Sequence, residues 1–164
     1  MRRAKREEVP TEEAGDLLKT RAAAVKLLAR RDFASTELKQ KLQAQGFDAT
    51  VVDEAVEELI AGGILNDARF AEHLVTQHAD RGQGPLRITA LLKELRLPDE
   101  VIDAALAAGP DWLARAREVR IRRFGLREPA TWPEKAKQGR FLQYRGFSSD
   151  HIRAALGPDV DLNE

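Results

Sequence analysis

Apolar positions along the chain repeat one spacing three times. Leu42 and Phe47 are followed by Val52, Ala55 and Val56. Leu92 and Leu97 are followed by Ile102, Ala105 and Leu106, and Leu142 and Phe147 by Ile152, Ala155 and Leu156. The copies lie fifty residues apart and align without a gap. Each reads as the end of one helix, a tight turn and the inner face of the next, because residues three and four apart share a helix face. The polar punctuation agrees. Gly46 and Gly146 suit a left-handed helix C-cap, and Asp48 and Ser148 suit an N-cap. Pro98 stands at the matching place in the middle copy and is read as the first residue of a helix. His151 is the one misfit, where the other copies have Val51 and Val101.

Taken in order, the pattern predicts nine helices. Residues 1–10 are charged and of mixed sign. A first helix starts near Thr11, is weakened by Gly15, and runs to about Arg31 on Leu17, Leu18, Ala24, Val25, Leu27 and Leu28. A second opens at Ser35 and buries Leu38 and Leu42. Asp48 caps a third with Val52, Val56, Leu59 and Ile60, which Gly62 and Gly63 end. Asn66 is read as the cap of the fourth helix, with Phe70, Ala71 and Leu74 inward. Arg81-Gly82-Gln83-Gly84-Pro85 is the clearest breaker and reads as an interhelix hinge. There Gly84 is the cap and Pro85 the first residue of a fifth helix bearing Ile88, Leu91, Leu92 and Leu95. The sixth is expected from Pro98 to Ala107. Asp111 caps a seventh with Trp112, Ala116, Val119 and Phe124 inside. A loop from Gly125 to Trp132 leads to an eighth that starts at Pro133 and buries Phe141 and Leu142. Ser148 caps the ninth, and Gly157 ends it. No segment alternates with period two for long enough to make a strand.

The predicted fold is all-α: three tandem three-helix repeats forming an elongated, curved array. The expected boundaries are a charged N-terminal segment 1–16, repeats 17–63, 64–109 and 110–157, and an acidic tail 158–164. Small repeats bury little apolar area alone and lean on their neighbours. Such an array suits an extended partner and does not imply an enclosed catalytic pocket.

Composition refines this. Lys and Arg number 27, as do Asp and Glu, so the net charge is zero. Division changes the picture: residues 111–156 hold eleven basic and five acidic residues, whereas residues 17–63 hold seven of each. One basic repeat points to a polyanion or an acidic protein surface as partner. Without cysteine there are no disulfides or thiolate metal sites, which fits a reducing cytoplasm. No apolar run approaches the roughly 20 residues of a membrane span, and no signal peptide is evident.

No catalytic constellation stands out, and neither a cofactor nor a metal site is expected. His73 and His78 are five apart, the wrong interval for one helix face. Asp53, Glu54, Glu57 and Glu58 read as a solvated carboxylate face. The basic residues carry more. Lys137, Arg140 and Tyr144 recur at helical spacing on one outer stripe, with Arg145 at the helix end. Arg115 and Arg122 share a face of the seventh helix, whereas Arg120 and Arg123 fall nearer its apolar side and are expected to lie over the core. Arg81 and Arg87 flank the glycine-rich breaker. Cations beside an exposed aromatic ring suit nucleic acid or an acidic protein surface.

Four segments together resemble the RecX family of bacterial regulators of the RecA recombinase. They are Leu28-Ala-Arg-Arg-Asp32 with Ser35-Thr-Glu-Leu-Lys-Gln-Lys-Leu42, Gly63-Ile-Leu-Asn-Asp-Ala-Arg-Phe-Ala71, Arg81-Gly-Gln-Gly-Pro-Leu-Arg-Ile88, and Lys135-Ala-Lys-Gln-Gly-Arg-Phe-Leu-Gln-Tyr-Arg-Gly-Phe147. The resemblance implies tandem three-helix repeats, no enzymatic activity and a cytoplasmic role. It also implies binding to RecA, free and as a filament on single-stranded DNA, with restraint of its ATPase, strand-exchange and coprotease activities. Modulation of recombination, DNA repair and the SOS response follows by the same analogy. A monomer is expected, with weak direct DNA binding and no membrane contact. A helical protein acting directly on DNA is the alternative.

Overall fold

The computed structural model describes residues 11–157, with side chains from residue 15 onward. The charged start, residues 1–10, and the acidic tail, residues 158–164, lie outside the described residues. Among the described residues nine α-helices follow one another without a strand. They are α1 (Thr11–Leu28), α2 (Ser35–Ala44), α3 (Ala49–Ala61), α4 (Asp67–Asp80), α5 (Pro85–Glu94), α6 (Asp99–Ala107), α7 (Trp112–Phe124), α8 (Trp132–Arg145) and α9 (Ser149–Leu156). Packing divides the chain into two compact units, one ending at Asp67 and one beginning at Ala68.

In the first unit α3 packs along α1 and also against α2. Its core is Ala24, Phe33, Leu38, Leu42, Val52, Val56, Leu59 and Leu65. The helix stripe is narrower than the apolar content of α1 suggests. Leu18 and Val25 are 67% and 45% exposed, while polar Thr20 is fully buried and donates its hydroxyl hydrogen to the Asp16 carbonyl at 2.7 Å. On α3, Ile60 likewise faces solvent. The first helix stops at Leu28 rather than near Arg31. Arg30 N bonds the Leu27 carbonyl, which tightens the last turn, and Arg31 turns back over the Phe33 ring and pairs with Glu37. The N-terminus of α2 has no cap from its own segment. Asp67 supplies one, accepting from Ser35 N at 2.8 Å and Ser35 Oγ at 2.6 Å.

In the second unit α7 packs chiefly on α9, and α8 contacts both. Ala116, Val119, Leu142, Phe147, Ile152 and Leu156 form their core. The inward stripe of α4 is Ala71, Val75 and Ala79, while Phe70 and Leu74 are only half-buried. Two helix starts differ from expectation. α6 begins at Asp99, because Pro98 keeps extended backbone (φ −61°, ψ 147°) and is the N-cap. α8 begins at Trp132, one residue before Pro133, because Thr131 and Glu134 form a reciprocal capping box.

The fifty-residue register is visible in the backbone. Gly46 and Gly146 both adopt φ +96°, and the residue between them in register, Arg96, is left-handed too at φ +57°. His151 also finds its reason: Ser148 Oγ accepts from His151 N, and His151 Nδ1 accepts from Ser148 N at 3.2 Å. The imidazole is the reciprocal half of a cap. Burial holds its pKa below the usual histidine range, against the opposing charges of Asp150 and Asp111.

Candidate binding surface

The expected hinge at Arg81–Pro85 is a closed joint within the second unit. Gly84 N donates to the Arg145 carbonyl at 2.7 Å, and Leu86 N to the Gly146 carbonyl at 3.0 Å. The backbones meet without room for a side chain. A Cβ on Gly84 would lie 2.4 Å from the Gly146 carbonyl carbon and oxygen, and one on Gly146 would lie 2.5 Å from Arg87 Cβ. Gln83 Oε1 lies 2.7 Å from His78 Nδ1 and braces the loop from α4. Glycine here permits backbone pairing between elements, and that pairing removes the freedom a double-glycine loop suggests.

The joint carries Arg81 to the third three-helix group. A cleft of about 130 Å³ opens there, lined by Arg81, Gly82, Val119, Arg122, Arg123, Phe141 and Arg145. Four of the seven are arginines and none is acidic. Arg122 and Arg123 come from the last turn of α7, and neither has a carboxylate ion-pair partner among the described residues. Arg145 Nη1 donates to the Arg81 carbonyl at 3.3 Å, and its guanidinium sits 5.3 Å from the Phe141 ring centre. Val119 and Phe141 supply an apolar lining. Beside the cleft, Arg87 lies over the Tyr144 ring at 5.8 Å and donates to the Tyr144 carbonyl at 3.5 Å. Tyr144 is 80% exposed.

The eight residues singled out from the sequence therefore divide. Arg81, Arg122 and Arg145 converge on the cleft, and Arg87 and Tyr144 border it. Lys137 and Arg140 are exposed on α8, whose buried residues are Ala136, Gln138, Gly139 and Leu142. Arg115 stands apart, neutralised by Asp80 at 3.5 Å and Glu118 at 3.2 Å. Arg123, expected over the core, is exposed and joins the cleft. Its place in the last turn before Gly125 was the available signal, since a cation is favoured at a helix C-terminus, where the unpaired carbonyls lie. Arg120 is the arginine that is buried, donating to the Arg127 carbonyl at 3.2 Å.

The acidic face of α3 is partly neutralised, Asp53 by Lys39 at 3.1 Å and Glu58 by Arg21 at 3.4 Å. Among the described residues no group of histidines and carboxylates could hold a metal ion, and no helix is long and apolar enough to cross a membrane. The cleft can bind an oxyanion: guanidinium forks match its geometry, and a partly apolar wall strengthens the attraction.

Models of the first, second and third three-helix domains of RecX match residues 21–59, 66–106 and 110–156 in turn. The chain belongs to the RecX family. The regulatory protein RecX of Halorhodospira halophila is 48% identical over 136 residues, 82% of this chain and 84% of that one. RecX of Pseudomonas fluorescens strain Pf-5 is 40% identical over 141 residues, covering 85% and 91%. The fold agrees with the crystal structure of RecX from Lactobacillus salivarius at a TM-score of 0.77 and 22% identity, over 87% of this chain and 95% of that one. The RecX relatives are named as regulatory proteins, and a regulatory role follows from membership of their family.

Proposed function

We propose that this RecX family member binds the RecA recombinase, free and as a filament on single-stranded DNA, and restrains its ATPase, strand-exchange and coprotease activities. It would thereby modulate recombination, DNA repair and the SOS response in the cytoplasm. The observation that carries the reading is the family match along all three repeats, in order. The mechanism is multivalent. Several repeats touch neighbouring recombinase protomers, so individually weak contacts add through effective concentration. Contacts spanning protomers oppose the rearrangements coupled to ATP turnover.

Lys137 and Arg140 are the leading recombinase contacts, because both are exposed cations on one helix face and neither shares in the core. The test is ATP turnover by preformed filaments as the protein is titrated in, with DNA-only binding measured at the same salt. Inhibition well below one copy per recombinase protomer, at concentrations that leave DNA unsaturated, is the expected result. The Lys137→Glu, Arg140→Glu double variant should raise the half-inhibiting concentration about ten-fold, since an exposed ion pair is worth up to about 1 kcal/mol and two at about 0.7 kcal/mol make a factor of ten. An unchanged inhibition curve from the folded double variant would remove these two residues from the interface. Absence of inhibition by the unaltered protein would overturn the proposed function.

A further inference from the structure

We propose that the arginine cleft at the joint binds a backbone phosphate of single-stranded nucleic acid, and that Tyr144 with Arg87 forms the adjoining platform on which a base stacks. The cleft gathers Arg81, Arg122, Arg123 and Arg145 around one small volume with no acidic residue in its lining. Mutual repulsion of four guanidinium groups is relieved by an anion, and phosphate oxygens accept from several forks at once. A backbone phosphodiester and a protein carboxylate each offer one charge and two free oxygens, so the four arginines alone accept either. The border decides between nucleic acid and an acidic protein surface. Tyr144 is 80% exposed, held by Arg87 across its ring, and next in sequence to Arg145. An exposed ring beside a cationic groove is the arrangement that captures an unstacked base. Duplex DNA keeps its bases stacked inside and would leave Tyr144 idle, so the strand is single.

Occupancy has a structural consequence. Arg81 belongs to the α4–α5 loop, Arg122 and Arg123 to α7, and Arg145 to α8. A bound phosphate would bridge the two sides of the joint and reinforce the backbone pairing of Gly84 and Gly146. The inference goes beyond recombinase binding: it assigns the cleft to the strand itself and leaves Lys137 and Arg140 to the recombinase.

The experiment uses the full chain without recombinase and follows the anisotropy of a labelled oligothymidylate over a series of salt concentrations. Arg122 and Arg123 are exposed, so the Arg122→Gln, Arg123→Gln double variant should keep the melting temperature of the unaltered protein. Its affinity should fall at least ten-fold, and the slope of log affinity against log salt should shrink by about 0.7 units, the share of one single-strand phosphate that is no longer neutralised. Tyr144→Leu should weaken binding about ten-fold while leaving that slope in place, as removal of one base stack does. Polyglutamate should displace the strand far less well than unlabelled oligothymidylate. No binding by the unaltered protein, or an unchanged affinity and slope in the folded double variant, would overturn the proposal. Equal displacement by polyglutamate would give the cleft to an acidic protein surface instead. Because no recombinase is present, these results stand apart from the ATPase test.

Discussion

Arg96 holds a backbone conformation that its neighbours in the repeat leave to glycine. Its φ is +57°, where Gly46 and Gly146 have +96°. A left-handed conformation costs an L-residue roughly 1–2 kcal/mol, against about 0.4–1 kcal/mol for the extra freedom glycine brings to the unfolded chain. Arg96→Gly should therefore stabilise the protein by about 0.5–1 kcal/mol, read as a higher urea midpoint; a lower midpoint would mean that the Arg96 side chain contributes packing worth more than its backbone costs. His151 gives a second test at this scale. Its folded pKa lies below the ordinary histidine value of 6.5, with burial the leading cause. A histidine that binds its proton less tightly when folded contributes stability that is fully present above its unfolded pKa. That stability is lost as pH falls from about 6.5 through the lower folded value. Protonation of Nδ1 also removes the acceptor for Ser148 N, so the loss should reach up to about 1 kcal/mol, the worth of a cap. His151→Val, which restores the residue type of Val51 and Val101, should abolish that part of the pH dependence. If the His151→Val curve keeps the same slope below pH 6.5, another group is responsible.

Helices and their junctions show why some of the fold was readable in the chain and some was not. Helix number and order follow from apolar spacing and caps, because those are local: Asp48, Asp111 and Ser148 each cap the helix that follows. The N-terminus of α8 was equally local, since Thr131-Trp-Pro-Glu134 has the spacing of a capping box, and Pro133 drew attention one residue too far. The cap on α2 was not readable, for it comes from Asp67, thirty-two residues away. The site follows the same division. The stripe of Lys137, Arg140 and Tyr144 is one helix face, whereas the cleft lies beside a joint where two glycines, Gly84 and Gly146, meet across sixty-two residues. Nothing in Arg81-Gly82-Gln83-Gly84-Pro85 alone says which backbone it will pair with. The joint predicts opposite outcomes for one kind of substitution. Gly84→Ala places a methyl against the Gly146 and Phe147 backbone and should cost about 2–3 kcal/mol, as overpacking with broken hydrogen bonds does. Gly15→Ala, within α1 and with nothing near its added methyl, should stabilise by about 0.5–1 kcal/mol. Urea unfolding of the two variants checks both signs, and a neutral Gly84→Ala would mean that the joint opens freely.

Across the whole molecule the decisive quantity is how charge is distributed, since the total is zero. A neutral protein with evenly mixed charges would meet a DNA–protein filament with little electrostatic bias. Here residues 111–156 carry a surplus of six positive charges, eleven basic against five acidic, and among the described residues Arg122 and Arg123 lack a carboxylate ion-pair partner. Fields from separated patches act over about 8 Å at physiological ionic strength and about 3 Å at 1 M salt. Inhibition of filament ATPase should therefore weaken as salt rises, although the overall charge argues for indifference. Between about 50 and 200 mM salt the half-inhibiting concentration should climb at least ten-fold, each value being normalised to filaments without the protein at the same salt. The Arg122→Gln, Arg123→Gln variant should start weaker and climb less, because it has less charge to screen. Lys39→Gln, which alters a cation already paired with Asp53 in the first unit, should follow the curve of the unaltered protein. A half-inhibiting concentration independent of salt would show that the surplus on the third repeat does not drive filament binding, and the apolar and hydrogen-bonding parts of the surface would then have to carry it.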